Sequence, residues 1–273
     1  MRVLIDGRAV GAGDAAISVF DHGLLRGDGC FEALRSYEGS PFALDPHLDR
    51  LEASAALLGM DLPSRGEMAD WIRSVADDGG DCTVRVVATR GGSDPHVNAP
   101  SRVVVLWEPI LDVPEHLSVL PLEAPWHSDG ATSELTGAKT LSYAANMAAN
   151  RAARFSGFDD ALLYGRSGRI LEGPTFCVAW AVGGVLETPS LDLGILASIT
   201  RAVTLQEAAD AGVVVRDGHF ALDRLDAADE VMAMSTGKEV RPVVRVGDRR
   251  FTPGPITDLL ALRYRRRVVL SSG

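Results

Sequence analysis

Two lysines, Lys139 and Lys238, are the only lysines among the 27 lysine and arginine residues of this 273-residue chain. A codon bias toward arginine accounts for the ratio, but not for the two exceptions. Arginine replaces lysine as a surface cation, yet it neither forms a Schiff base nor gives up its proton at neutral pH. The two lysines are therefore the first candidates for covalent chemistry.

Lys139 is followed along the chain by a carboxylate and by two turns rich in glycine and hydroxyl groups. Glu172 lies between a turn and a β-prone run, residues 194–201 open a helix, and residues 235–237 follow a strand. Free N–H groups at the start of a helix bind phosphate well. An amine, a carboxylate and phosphate-binding turns are the parts that pyridoxal 5'-phosphate requires: an aldehyde partner, a pyridine-nitrogen partner and phosphate anchors. The pattern therefore predicts this cofactor.

Helices and strands must position these groups. Lys139 stands just before an alanine-rich segment, residues 140–155, which predicts a helix that would hold the lysine in place. Upstream, Asp45 and Pro46 predict an N-cap and a first helical proline, and leucines and alanines recur after them at helical spacing. Short β-prone runs lie between the helices, so we expect an α/β (α+β) fold.

A segment that contains proline and lacks a clear period, residues 108–115, is typical of a linker. It divides the chain into an expected N-terminal α/β domain, residues 1–112, and a C-terminal domain, residues 113–273. Two domains of this size can each bury a core.

Composition excludes several classes of protein. The net charge of −10 argues against nonspecific binding to nucleic acid or to an anionic membrane. The three cysteines are odd in number and have no CxxC spacing, which favours buried thiols in the cytoplasm and no metal site. We therefore expect a cytoplasmic protein whose partners are small molecules.

Five motifs in the same order resemble the class IV (branched-chain-type) pyridoxal-phosphate aminotransferases. This family also includes D-amino-acid transaminases, (R)-amine transaminases and aminodeoxychorismate lyases. The stretch around Lys139 is most similar to actinobacterial members described as aminotransferase or aminodeoxychorismate lyase. The motifs are residues 21–32, 138–147, 168–175, 194–201 and 228–236.

The resemblance implies a fold type IV enzyme, with a small N-terminal α/β sandwich and a larger C-terminal pseudo-barrel, acting as a homodimer. It assigns Lys139 as the Schiff-base lysine, which also moves the proton during transfer, and Glu172 as the partner of the pyridine nitrogen. Tyr143 matches the tyrosine at the phenolic oxygen, and Arg50 matches the phosphate-binding arginine. The remaining phosphate contacts fall on Ile199, Thr200 and Thr236. Lys238 matches no family role, and we expect it to be structural.

Three residues, Phe31, Arg90 and His96, are candidates for substrate binding. Phe31 stands where D-amino-acid transaminases prefer tyrosine, and their Arg-x-His is absent, which disfavours D-amino acids. The Phe-Glu-Ala-Leu run and the lack of an Arg-Gly-Tyr favour transamination between an amino acid or amine and a 2-oxo acid. The alternative is an aminodeoxychorismate lyase that forms 4-aminobenzoate and pyruvate, and the third reading is a pyridoxal-phosphate-binding protein without turnover.

Overall fold

The computed structural model describes residues 2–92 and 101–271, which group into two compact units. The first comprises Met1–Leu111, Ala138–Tyr143 and Val268–Gly273, and the second comprises Asp112–Gly137 and Ala144–Arg267. No helix of the described part of the chain is long and apolar enough to cross a bilayer.

The first unit is built on a six-stranded antiparallel sheet in the order β2-β1-β6-β5-β3-β4. Strand β3 alternates buried and half-exposed side chains, as expected for a sheet with one face on a core. The strands are β1 (Val3–Ile5), β2 (Arg8–Val10), β3 (Gly29–Tyr37), β4 (Ser40–Pro41), β5 (Cys82–Thr89) and β6 (Arg102–Glu108). The helices are α1 (His22–Arg26), α2 (Leu44–Leu57) and α3 (Arg65–Gly79).

Two amphipathic helices, α2 and α3, bury their apolar side chains in the core of this unit. Helix α3 begins with a capping box between Ser64 and Glu67. Helix α2 begins two residues earlier than the sequence predicts: its N-cap is Ala43, in the left-handed region at φ 54°, and not Asp45. Pro46 is tolerated because the first turn of a helix has no intrahelical acceptor for its N–H groups.

The segment that carries Lys139 is not the start of a helix, as the sequence predicted, but an extended strand-like stretch against β3. Phe31 N–H donates to the Lys139 carbonyl over 3.0 Å, and Leu141 N–H donates to the Gly29 carbonyl over 2.9 Å. The alanine-rich helix begins only at Ala144. The free edge of β3 supplies backbone partners to residues 139–141, which a helix beginning at residue 140 could not use.

The second unit contains a mixed sheet of eight strands. Seven of them follow the order β11-β10-β9-β12-β13-β7-β8, and β14 pairs with β13. The strands are β7 (Leu117–Glu123), β8 (Asp160–Tyr164), β9 (Cys177–Val182), β10 (Val185–Pro189), β11 (Val215–Gly218), β12 (Glu230–Ser235), β13 (Glu239–Val246) and β14 (Arg249–Arg250). The helices are α4 (Ala144–Phe155), α5 (Ile199–Asp210) and α6 (Pro255–Ser271), with short 3₁₀ turns at Leu191–Leu193 and Leu222–Ala227. The last residues of α6, from Val268 on, are grouped with the first unit.

Candidate active site

The ammonium group of Lys139 lies against two aromatic rings of the first unit. Its Nζ is 4.4 Å from the ring centroid of Phe31 and 5.6 Å from that of Tyr143. The two rings meet edge to face, with 5.4 Å between their centroids. A cation over aromatic faces is attracted by the ring quadrupole, so the rings restrict where the half-buried lysine can point.

The backbone of Lys139 is held from both sides. Its carbonyl accepts from Phe31 on β3, and its N–H donates to Ser54 Oγ over 3.1 Å. Ser54 Oγ in turn donates to the Arg50 carbonyl one helical turn earlier, over 2.8 Å. Strand β3 and helix α2 therefore hold the backbone of Lys139 in place.

A buried carboxylate, Glu32, joins Arg50 to His47. Arg50 donates from Nε and Nη2 to the two carboxylate oxygens over 2.6 and 2.8 Å, and His47 Nδ1 lies 2.7 Å from Oε2. Burial raises the pKa of Glu32, but the hydrogen bonds and charges of Arg50 and His47 outweigh burial and lower this pKa to about 2. Burial lowers the pKa of His47. The cluster holds the guanidinium of Arg50, to which the family resemblance assigns phosphate binding.

Sequence reasoning did not assign roles to Glu32 and His47. The alternation of β3 could have indicated Glu32: it lies at an alternate position between Cys30 and Leu34, whose side chains face the core of the unit. A glutamate at a core position of a strand indicates a buried partner, because a carboxylate is almost never fully buried unpaired.

Of the other two candidates for substrate binding, Arg90 and His96, the structure describes only Arg90. Arg90 donates to both oxygens of Asp28, over 2.6 and 3.1 Å, and to the Leu58 carbonyl over 2.6 Å. These contacts occupy Nε and Nη2 of Arg90. His96 lies outside the described residues.

In the second unit Glu172 is mostly buried, with 14% of its side chain exposed. Both of its oxygens lie near the Leu196 N–H, at 3.3 and 3.4 Å, and His127 Nε2 is 3.8 Å from Oε1. A partly desolvated carboxylate with such long contacts retains the capacity to accept a strong hydrogen bond from a cationic N–H.

The two turns that the sequence predicts to bind phosphate lie at the start of helix α5 and at the end of strand β12. Helix α5 begins at Ile199, and its N-cap Ser198 accepts from Arg201 N–H. The N–H groups of Ile199 and Thr200 have no intrahelical acceptor, which makes the helix start suited to an anion. Thr236 stands in the turn between β12 and β13.

Lys238, the second lysine, is bound to protein groups. Its Nζ lies 3.1 Å from Oδ2 of the buried Asp160 and 3.2 Å from Thr175 Oγ1, and it packs 5.0 Å from the ring centroid of Phe176. These contacts give Lys238 a structural partner and agree with the expectation that it is structural.

Comparison with known proteins shows that the chain has the fold of the fold type IV transaminases. A model of the family described as amino-transferase class IV matches residues 29–246, and the chain belongs to this family. The chain is 32% identical to a putative branched-chain-amino-acid aminotransferase of Methanocaldococcus jannaschii, over 91% of this chain and 89% of the relative. It is 29% identical to an aminodeoxychorismate lyase of Bacillus subtilis, over 97% and 94%.

Among solved structures, the fold IV transaminase CpuTA1 of Curtobacterium pusillum superposes with a TM-score of 0.87 and 30% identity, covering 97% of this chain and 92% of that one. The predicted family and the α/β fold class are therefore confirmed. Class IV aminotransferases use pyridoxal 5'-phosphate, and the donor set fits it. The chain offers an amine, a mostly buried carboxylate and a helix start with free N–H groups.

Proposed function

We propose that this class IV enzyme catalyses reversible transfer of an amino group between an amino acid or amine and a 2-oxo acid, with Lys139 as its reactive amine. The supporting observation is that Lys139 is hydrogen-bonded to β3 through its backbone, while its Nζ lies against the rings of Phe31 and Tyr143. Bound pyridoxal phosphate supplies an aldehyde and an electron-accepting ring. Lys139 Nζ would carry the proton between the α-carbon of the substrate and the aldehyde carbon of the cofactor.

The other residues bind and orient in this proposal. Tyr143 would donate to the phenolic oxygen of the cofactor, and Glu172 would accept from its protonated pyridine nitrogen. Arg50, held by Glu32, binds the phosphate. The backbone of Ile199 and Thr200 and the hydroxyl of Thr236 complete the phosphate contacts.

Replacing Lys139 tests the central assignment. We expect Lys139→Ala to lose the visible absorption band of the lysine-bound cofactor and to lower transamination by about 1,000-fold or more, because the proton at the α-carbon has no acceptor. Lys238→Arg, which keeps a cation beside Asp160, is the matched control and should keep both properties. An alanine variant that retains band and turnover would refute the assignment.

The second candidate function is aminodeoxychorismate lyase, which is favoured by the Bacillus subtilis relative of that name. The two reactions differ in their products. Release of pyruvate and 4-aminobenzoate without any amino acceptor selects the lyase, whereas amino-donor-dependent formation of a new amino acid from a 2-oxo acid selects the transaminase. A stable visible band without either reaction, across a panel of donors and acceptors, selects a binding protein without turnover.

The organisation of the chain is part of the proposal. We infer a homodimer, on the basis of the family resemblance, and division into domains at residues 1–112 and 113–273. We also infer a cytoplasmic location, which is supported by three buried cysteine thiols, those of Cys30, Cys82 and Cys177. Light scattering in solution tests the dimer.

A further inference from the structure

His127 lies beside Glu172, and the family resemblance assigns no role to this histidine. This histidine is also mostly buried, with 12% of its side chain exposed, and its Nε2 faces Glu172 Oε1 at 3.8 Å. Both residues belong to the second unit. A distance of 3.8 Å is longer than a hydrogen bond, but contacts of this kind are often long without ligand and tighten when it binds.

The other ring nitrogen of His127 determines which proton the ring carries. Asp129 N–H donates to His127 Nδ1 over 3.3 Å. A nitrogen that accepts a hydrogen bond carries no proton, so the neutral ring carries its proton on Nε2. The proton of the neutral imidazole therefore points at Glu172.

The donor to His127 is itself held in place. Asp129 has a positive φ of 49°, and its carboxylate accepts from Ser167 N–H over 2.8 Å and from Ser167 Oγ over 2.9 Å. A Cβ at Gly165 would lie 2.2 Å from Asp129 Cγ, so only glycine fits there without a shift. These contacts aim the Asp129 N–H at the imidazole.

We propose that His127 is a positioning residue for Glu172: as the neutral Nε2–H tautomer it donates to this carboxylate without cancelling its charge. The inference rests on the proposed role of Glu172 as partner of the pyridine nitrogen. An imidazolium would compete with the protonated pyridine for the same carboxylate, whereas a neutral N–H orients the carboxylate and leaves its full charge available.

The first test observes the tautomer in the holoenzyme. The full chain, labelled with ¹⁵N in its six histidines, is studied by long-range ¹H–¹⁵N NMR at mildly alkaline pH, where an ordinary imidazole is neutral. His127→Gln assigns the signal. We expect His127 to show the Nε2–H pattern. An Nδ1–H pattern, or an imidazolium, would overturn the proposal.

The second test measures the affinity of the cofactor-free full chain for pyridoxal 5'-phosphate by fluorescence titration. We expect His127→Leu to weaken binding about tenfold, the cost of one hydrogen bond to a charged group. His127→Gln keeps an N–H near the Nε2 position, so we expect it to stay within about twofold of the wild type. His116→Gln, at an exposed histidine, is the matched control. Equal losses in the leucine and glutamine variants, or no loss in either, would contradict the positioning role.

The same titration in a Glu172→Gln background separates the two proposals. We expect Glu172→Gln to weaken binding by itself and His127→Leu to add nothing to it. If Glu172→Gln weakens binding but His127→Leu does not, only the role of His127 is wrong. If Glu172→Gln changes neither the affinity nor the visible spectrum, the role of Glu172 is wrong, and the inference about His127 is wrong with it.

Discussion

Replacing Glu32 by glutamine removes the charge at the centre of the Glu32–His47–Arg50 cluster while keeping the shape of the side chain. Only 1% of the Glu32 side chain is exposed, and both of its oxygens accept from Arg50. The substitution leaves a mostly buried guanidinium without its counter-charge. Removing one partner of a buried ion pair destabilises the folded protein by more than the intact pair stabilises it.

The size of the effect follows from the pKa of Glu32, which falls from 4.5 to about 2 on folding. This difference corresponds to about 3 kcal/mol of folding free energy, at about 1.4 kcal/mol for each pKa unit. Because the pKa is lower in the folded state, the stabilisation is fully present above pH 4.5 and is lost as the pH falls through about 2. We therefore expect Glu32→Gln to cost about 3 kcal/mol at neutral pH.

Urea unfolding of the cofactor-free protein, followed by circular dichroism between about pH 7 and pH 3, measures this cost. The difference between wild type and variant should shrink by about 2 kcal/mol over the acidic part of this range. The cause is that Glu32 becomes protonated in the unfolded wild type, where its pKa is 4.5, while it stays mostly ionised in the folded protein. Glu38→Gln, at an exposed position of the same unit, is the control and should show no such change. A difference that is small at neutral pH, or independent of pH, would refute the reasoning.

Three further predictions concern other buried groups. Lys238→Met leaves the buried Asp160 without its cation and should lower the free energy of unfolding in urea by about 3 kcal/mol; unchanged stability would show that the pair contributes nothing. Gly165→Ala places a Cβ 2.2 Å from Asp129 Cγ and should cost about 1–3 kcal/mol, measured in the same way; wild-type stability would mean that the loop adapts freely. Burial, and secondarily the charge of Glu32, raises the pKa of the Cys30 thiol to about 12. Cys30 should therefore resist alkylation at neutral pH until the protein unfolds, as followed by mass spectrometry, and rapid labelling of the folded protein would contradict this.

Sequence patterns predicted the elements whose periodicity is strong and local. Helix α5 begins at Ile199, within the residues 194–201 that the sequence predicts to open a helix. The errors fall where a distant partner decides the conformation. The alanine-rich segment was predicted helical from residue 140, but β3 holds residues 139–141 as an extended stretch by backbone hydrogen bonds.

By itself, the sequence determined the chemical groups and their order along the chain: one lysine beside a tyrosine, a later carboxylate and two turns suited to phosphate. These signals are local, because residue type and spacing carry them. Only the tertiary structure decided how the groups are held. The Lys139 N–H and Ser54 are 85 positions apart, Glu32 and Arg50 are 18 apart, and His127 meets Glu172 from a different segment. Such pairings depend on which buried polar groups find partners when the chain packs, and no local periodicity encodes them.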